Sequence, residues 1–474
     1  MPRVPAAAAR ALQYKLLFKS KTQKRGLRAK FSLLCFLLSE QRKIADRAVG
    51  RLATSKNLRN LEPNFLAPHI AMNATQINPV LATRIVSLSE SQTLEMAAKA
   101  RQLEAEGFDV IKLSLGEPDF TTPEHIKEAA KKAIDDNFSF YTPVPAYLDL
   151  RKAIAEKLKR ENALEVSAEN IVVSTGAKQS LINVLLCLIE PGDEVVVFAP
   201  YWVSYIPMIQ LAEGKAVIVH GDIAEGFKVS PEQLKAAMTP KTKAVLYSSP
   251  SNPTGTVYTR EELQAFAEVL EAHPQVFVIA DEIYEYITFE GTYSSIGAFE
   301  SMKNRTITVN GFSKGFAMTG WRVGYIAAPK WLADACTKIQ GQFTSATCSI
   351  AQKAAYAAIT GGREDIAKMK EAYQRRRDIV LGLLNEIPSI KTYIPQGAFY
   401  IFPDVSAFFG KSDGTTTIHN ANDLCMYLLR EAHVALVDGE GFGAPECIRI
   451  SFAASDEQLR EAMRRIKNTL AKLQ

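Results

Sequence analysis

An alternation constrains this chain more than any single residue does. From Arg84 on, β-rich runs such as "DVIKLSL", "NIVVST", "DEVVVFAP", "KAVLYSS", "VFVIAD", "TITVN" and "VGYIAAP" recur between segments with apolar residues at three- and four-residue spacing. Strands each followed by a helical stretch cannot pair as tight hairpins, so they build a mostly parallel sheet with helices on its faces. The expected fold class is α/β. A longer helical pattern, "EDIAKMKEAYQRRRDIVLGLLNEI", precedes "GAFYIFPDV" and "CIRISFAAS" and reads as a smaller α+β domain at the C-terminus. At 474 residues and 47% hydrophobic content the chain can bury two or three such units.

The net charge of +5 hides two regions of opposite sign. Residues 1–60 carry 15 Lys and Arg against Glu40 and Asp46, and the remainder carries 41 basic and 49 acidic residues. The body is therefore mildly acidic and gives no argument for nucleic-acid binding. Residues 1–75 read as a basic leader, disordered or removed: an extra translated stretch ahead of Met72, an organellar transit peptide, or a basic arm. The expected location is the cytoplasm, with mitochondrion or plastid as the alternative if the leader is a transit peptide. The six cysteines are scattered without a C-x-x-C pair and the six histidines do not cluster, so neither a disulfide framework nor a metal site is expected. No apolar run approaches the roughly 18 residues that cross a bilayer.

In open α/β sheets, ligands lie beyond the carboxyl ends of the strands, so the residues after each run matter most. "NIVVS" leads into "TGAKQSL", where the N–H groups of Gly176, Ala177 and Lys178 at a helix start could hold a phosphate. "KAVLYSS" leads to Asn252 in "PSNPTG". "VFVIA" leads to Asp281 in "DEIYEYI", with Tyr284 expected on the same face of a following helix. "TITVN" leads to "GFSKGFAMTGWRVGY", with Ser313, Lys314 and Arg322. A phosphate cradle, a buried acid, a phenol, an amide and a reactive amine together describe a pyridoxal 5'-phosphate site. Lys314 would form the Schiff base. Asp281 would keep the ring nitrogen protonated, Tyr284 and Asn252 would hydrogen-bond the ring hydroxyl, and Ser313 and Arg322 would neutralise the phosphate.

The motifs "LGEPDFTTPEHI", "STGAKQSL", "APYWVSY", "SNPTG", "DEIYEYI", "SKGFAMTGWRVGY" and "IRISF" resemble the fold-type I, class I/II aminotransferases. More narrowly, they resemble the bacterial-type aspartate and aspartate/prephenate aminotransferases. The resemblance runs from about residue 80 to the end. It implies that 76–122 joins 366–474 in the small domain, and that 123–365 forms the large cofactor-binding domain. It also implies that Trp202 stacks on the cofactor ring and that Gly116 and Arg449 bind the substrate α-carboxylate. Tyr141 would reach the phosphate of a neighbouring subunit, which makes the protein a homodimer with shared active sites. Thr93 in "SESQTLEM" and Lys178 would receive the distal carboxylate of a dicarboxylic substrate.

The expected reaction is amino transfer from L-aspartate to 2-oxoglutarate. Amino transfer from aspartate or glutamate to prephenate, giving arogenate, is the enzymatic alternative. An aminotransferase-like transcription regulator is the alternative of another class, and the short leader without a helix-turn-helix pattern argues against it.

Overall fold

The computed structural model describes residues 81–86, 88 and 92–474; the leader expectations for residues 1–75 lie outside the described residues. Twelve strands are present among them. They are β1 (Ile111–Lys112), β2 (Ile171–Ser174), β3 (Glu194–Ala199), β4 (Lys215–His220), β5 (Thr242–Ser248), β6 (Phe277–Asp281), β7 (Thr306–Gly311), β8 (Gly324–Ala327), β9 (Tyr400–Ile401), β10 (Val434–Ala435), β11 (Val437–Asp438) and β12 (Ile448–Ser451).

Seven strands form one sheet in the order β2-β8-β7-β6-β5-β3-β4. All pair in parallel except β8, which runs against both β7 and β2. The central runs are mostly apolar and buried at nearly every position because both faces are covered. Along β3, Val195 and Val197 pack with the helices Ala177–Leu188 and Lys330–Phe343, whereas Val196 and Phe198 pack toward the helix Arg260–Glu271. The edge strand β4 shows the opposite pattern, with alternating partial exposure.

A second core gathers segments distant in sequence. Met96 and Ala100 of the helix Gln92–Ala105 meet Tyr373 and Val380 of Glu364–Leu384, Leu424 of Ala421–Glu431 and Ile466 of Asp456–Leu470. Two small sheets, β1-β10 and β11-β12-β9, lie within it. Its strands are short, and β12 donates from Ser451 N to Leu113 O at 2.9 Å, which ties the end of the chain to the segment after β1.

Behind the end of β6 the fold buries an ionic cluster. Lys157 Nζ donates to a Glu285 carboxylate oxygen and, at 2.8 Å, to Asn162 Oδ1, while Asn162 Nδ2 donates to Glu285 Oε2 at 2.7 Å. Ser295 Oγ donates to Glu282 Oε1. One ammonium therefore serves two buried carboxyls. Burial pushes Glu282 up to about 8, and the neighbouring Glu285 charge adds to the rise. Between 4.5, where an unfolded Glu titrates, and about 8, the folded chain holds a proton that the unfolded chain has released. Stability then falls as pH rises through that window. Glu282→Gln keeps the hydrogen-bonding shape and removes the proton, so its urea midpoint is expected to lack the one-proton slope of the parent. Denaturation series across the window check this.

Candidate active site

A cavity of about 350 Å³ opens where the carboxyl edge of the large sheet meets the second core. The strands deliver its walls. Ala177 and Lys178 follow β2, Trp202 follows β3, Asn252 follows β5, Asp281 ends β6, and Ser313 and Lys314 follow β7. Arg322 precedes β8, and because β8 runs antiparallel to its neighbours, its start lies at the same sheet edge.

The cradle at the helix Ala177–Leu188 is built by close approach. Gly176 has φ +85°, a conformation that costs an L-residue with a side chain, and the Arg322 guanidinium fills the space its Cβ would need. A Cβ on Gly324 would overlap the backbone of Ala177, so β8 seats the helix start directly against the Arg322 strand. The expectation of three free N–H groups needs correction. Gly176 N donates to Ser174 O at 2.7 Å as the chain turns out of β2. Ala177 and Lys178 retain N–H groups without an acceptor among the described residues, as the first turn of a helix must.

Lys314 Nζ donates to the Gly116 carbonyl. Burial pulls its pKa down to about 8; Glu117 and Asp281 oppose that fall, and Arg449 and Arg322 reinforce it. Ser313 is buried beside it. Asp281 is the deepest acid of the cavity, raised by burial to about 6.

The sequence places Asp281 ahead of a helix, and this is corrected too: residues 282–287 form turns, with Glu285 N donating to Glu282 O at 3.0 Å and Ile287 N to Tyr284 O at 2.8 Å. Immediately beyond, Thr288 bridges to Gly397 and Phe289 N donates to Gln396 O at 2.8 Å, so extended pairing captures the chain after one turn. The Ile and Tyr residues of "DEIYEYI" have too little helix propensity to resist it. Tyr284 reaches the cavity from this turn and not from a helical face.

Arg449 decides what the cavity is for. It is 2% exposed, yet among the described residues it forms no ion pair. Its Nη1 donates to Asn252 Oδ1 at 2.9 Å and its Nη2 to Ser114 O at 2.6 Å; Nε is buried with no partner. The guanidinium lies 4.7 Å from the Tyr400 ring centre and 4.9 Å from that of Phe442. A buried cation held by neutral groups is unfavourable alone and becomes favourable when an anion arrives.

The family described as aminotransferase class I and II matches residues 109–466. The chain belongs to the class I and II aminotransferases. It is 46% identical over 405 residues to the bifunctional aspartate aminotransferase and glutamate/aspartate-prephenate aminotransferase of Petunia hybrida, covering 84% of this chain and 85% of that protein. It is 47% identical to the aspartate/prephenate aminotransferase of Cereibacter sphaeroides, over 82% of this chain and 98% of that one. The crystal structure of the Rhizobium meliloti aspartate aminotransferase superposes with a TM-score of 0.81 at 42% identity, covering 83% of this chain and 99% of that chain. The fold is the α/β fold-type I architecture of these enzymes.

In this aminotransferase the remaining expected residues divide into two groups. Lys178 Nζ stands 4.8 Å from the Trp202 ring centre, and burial within the cavity followed by the Arg322 charge lowers its pKa. Thr93 also lines the cavity, with its Oγ1 buried and unpartnered. Gly116 and Tyr284 complete the wall. Tyr141 does not join them: it is 99% exposed on the outer surface, beside the exposed Phe140.

Nothing in the sequence sets Tyr205 apart from its neighbours in "YWVSY". Its Oη donates to Asp281 Oδ2 at 2.7 Å, while Ile283 N donates to Oδ1 at 3.3 Å. Both bonds favour the carboxylate and oppose the effect of burial. Tyr205→Phe is therefore expected to move the Asp281 carboxyl above its value of about 6. A carboxylate ¹³C NMR titration of the cofactor-free protein reads this directly, and an unmoved midpoint would remove Tyr205 from the acid's environment.

Proposed function

We propose that the protein uses pyridoxal 5'-phosphate to transfer the amino group of L-aspartate to 2-oxoglutarate, giving oxaloacetate and L-glutamate. The observation that carries this reading is Arg449, a buried guanidinium without a counter-ion among the described residues, in the same cavity as a lysine of lowered pKa.

The residues present fit the cofactor. Two unpaired N–H groups, Ser313 and the Arg322 guanidinium converge where a phosphate would be held. Asp281, a carboxylate kept charged by Tyr205, suits a protonated ring nitrogen. Trp202 offers an aromatic face, and Tyr284 and the Asn252 amide nitrogen offer donors to the ring hydroxyl. Lys314 would be the covalent anchor. When bound, pyridoxal phosphate supplies an electron sink for the pair left at the substrate Cα.

The chain's own groups do the rest. Arg449 takes the α-carboxylate, which replaces none of its existing bonds because its Nε is unpartnered. That contact fixes the Cα relative to Lys314. Lys314 Nζ, whose pKa of about 8 gives it a larger neutral fraction near neutral pH than an ordinary lysine has, takes the proton from Cα and in the return half-reaction delivers one to the carbon of the 2-oxo acid. The four-carbon and five-carbon dicarboxylates share a distal anion, and Lys178 with Thr93 stands in the cavity to receive it. Prephenate carries two carboxylates as well. The names of the Petunia and Cereibacter relatives favour this second acceptor, with arogenate as its product. The exposed Tyr141 supports a homodimer in which it completes the site of the neighbouring copy.

Two outcomes test the reading. Lys178→Met is expected to lower kcat/KM for aspartate, 2-oxoglutarate and prephenate by about 2–4 kcal/mol of transition-state binding while sparing alanine, and Thr93→Val to do the same more weakly. Steady-state kinetics on the four substrates decide it; an equal loss for alanine would assign Lys178 to the phosphate. Covalent uptake of pyridoxal phosphate by the cofactor-free protein requires neutral Lys314. Its rate is expected to rise with pH to a midpoint of about 8, not 10.5, as followed by visible absorbance.

A further inference from the structure

Tyr400 lies outside the cavity wall, fully buried in the second core, and nothing in the reaction described so far uses it. It nevertheless touches three of the groups that do take part. Its ring supports the Arg449 guanidinium at 4.7 Å. Its Oη shares a 2.7 Å hydrogen bond with Tyr284 Oη. A Cβ on Gly116, whose carbonyl holds Lys314, would stand 2.5 Å from the same Oη, so the Gly at this position is what lets the phenol pass.

We propose that Tyr400 is a positioning residue that joins the carboxylate clamp to the cofactor-side phenol, its ring acting on Arg449 and its hydroxyl acting on Tyr284. The direction of the hydroxyl bond follows from access. Tyr284 lines the cavity, so its own O–H can turn toward a ligand. Tyr400 is walled off, and among the described residues Tyr284 Oη is the acceptor its O–H finds. A buried hydroxyl uses its proton where an acceptor exists, so Tyr400 donates and Tyr284 accepts. A phenol that accepts one hydrogen bond becomes a better donor of its own. Tyr284 therefore donates more strongly to a ring hydroxyl than an unsupported tyrosine would. The ring of Tyr400 meanwhile offers Arg449 an attractive face that a counter-ion would otherwise supply, and it leaves the guanidinium edge open to substrate.

The inference rests on the transaminase reading, and the two roles separate experimentally. Tyr400→Phe keeps the ring and removes the hydroxyl. It is expected to raise the pH midpoint of the visible band of the cofactor-loaded enzyme and to lower kcat about tenfold, with KM for aspartate little changed. Tyr284→Phe alone is expected to raise the same midpoint, and the double variant to add nothing further, because the route runs through one bond. Tyr400→Leu removes the ring as well and is expected to raise KM for aspartate about tenfold. An unmoved midpoint in Tyr400→Phe, or additive shifts in the double variant, would overturn the proposal even in a fully active enzyme. Absence of transamination by the parent with every amino donor would instead overturn the functional reading.

Discussion

The site depends on one unfavourable fact, the burial of cations without matched anions. Arg449 is the extreme case, inaccessible to water and held by Asn252, a backbone carbonyl and two aromatic rings. A carboxylate partner from the protein would relieve the charge and close the site to substrate carboxylates. Neutral acceptors and ring faces stabilise the guanidinium in part and leave its Nε without an acceptor. Lys314 follows the same logic at lower stakes: a carbonyl holds its amine and burial shifts it toward the neutral form. Both arrangements cost stability in the resting protein and are retained where function requires strain.

Holding those cations takes contributions from far apart in the chain. Ser114 follows β1, Asn252 follows β5 and Arg449 lies on β12, so a single guanidinium ties the large sheet to the second core. The antiparallel β8 brings Arg322 to the carboxyl edge, a position that a parallel strand would have given to the residues after it. The cradle then needs glycine on both sides, at Gly176 for its φ and at Gly324 for contact with Ala177.

This division explains what could be read from the residues alone. The strands of the large sheet were legible because burial on both faces writes continuous apolar runs, and the groups that follow them were legible because strand ends point to one edge. The run "DVIKLSL" was legible as a strand, but its place was not, because Ile111 and Lys112 pair with β10 in a sheet apart from the large one; and after Asp281 a distant pairing with residues 396–397 overrides local helix geometry. Tyr205 and Tyr400 were missed for a related reason. Each is an aromatic in an apolar setting, indistinguishable from core until its hydroxyl partner is known, and those partners stand 76 and 116 residues away.

The charges of the cavity finally constrain what can fill it. Four cations, Lys178, Lys314, Arg322 and Arg449, face two acids, Asp281 and Glu117, which leaves a surplus of two positive charges along the wall. Glu117 is engaged by Thr319 Oγ1 and Asp281 by Tyr205, so neither acid pairs with the outlying cations. A phosphate ester, with about −1.5 to −2 charges near neutral pH, would answer Arg322 and the helix start. Arg449 and Lys178 then remain on separate stretches of wall, one beside Asn252 and the other beside Trp202. An amino acid with an apolar side chain can satisfy the first and must leave the second cation less solvated than in open water, with nothing in exchange. In the proposed reading a dicarboxylate would satisfy both, so the two cations that the phosphate does not reach become the source of discrimination.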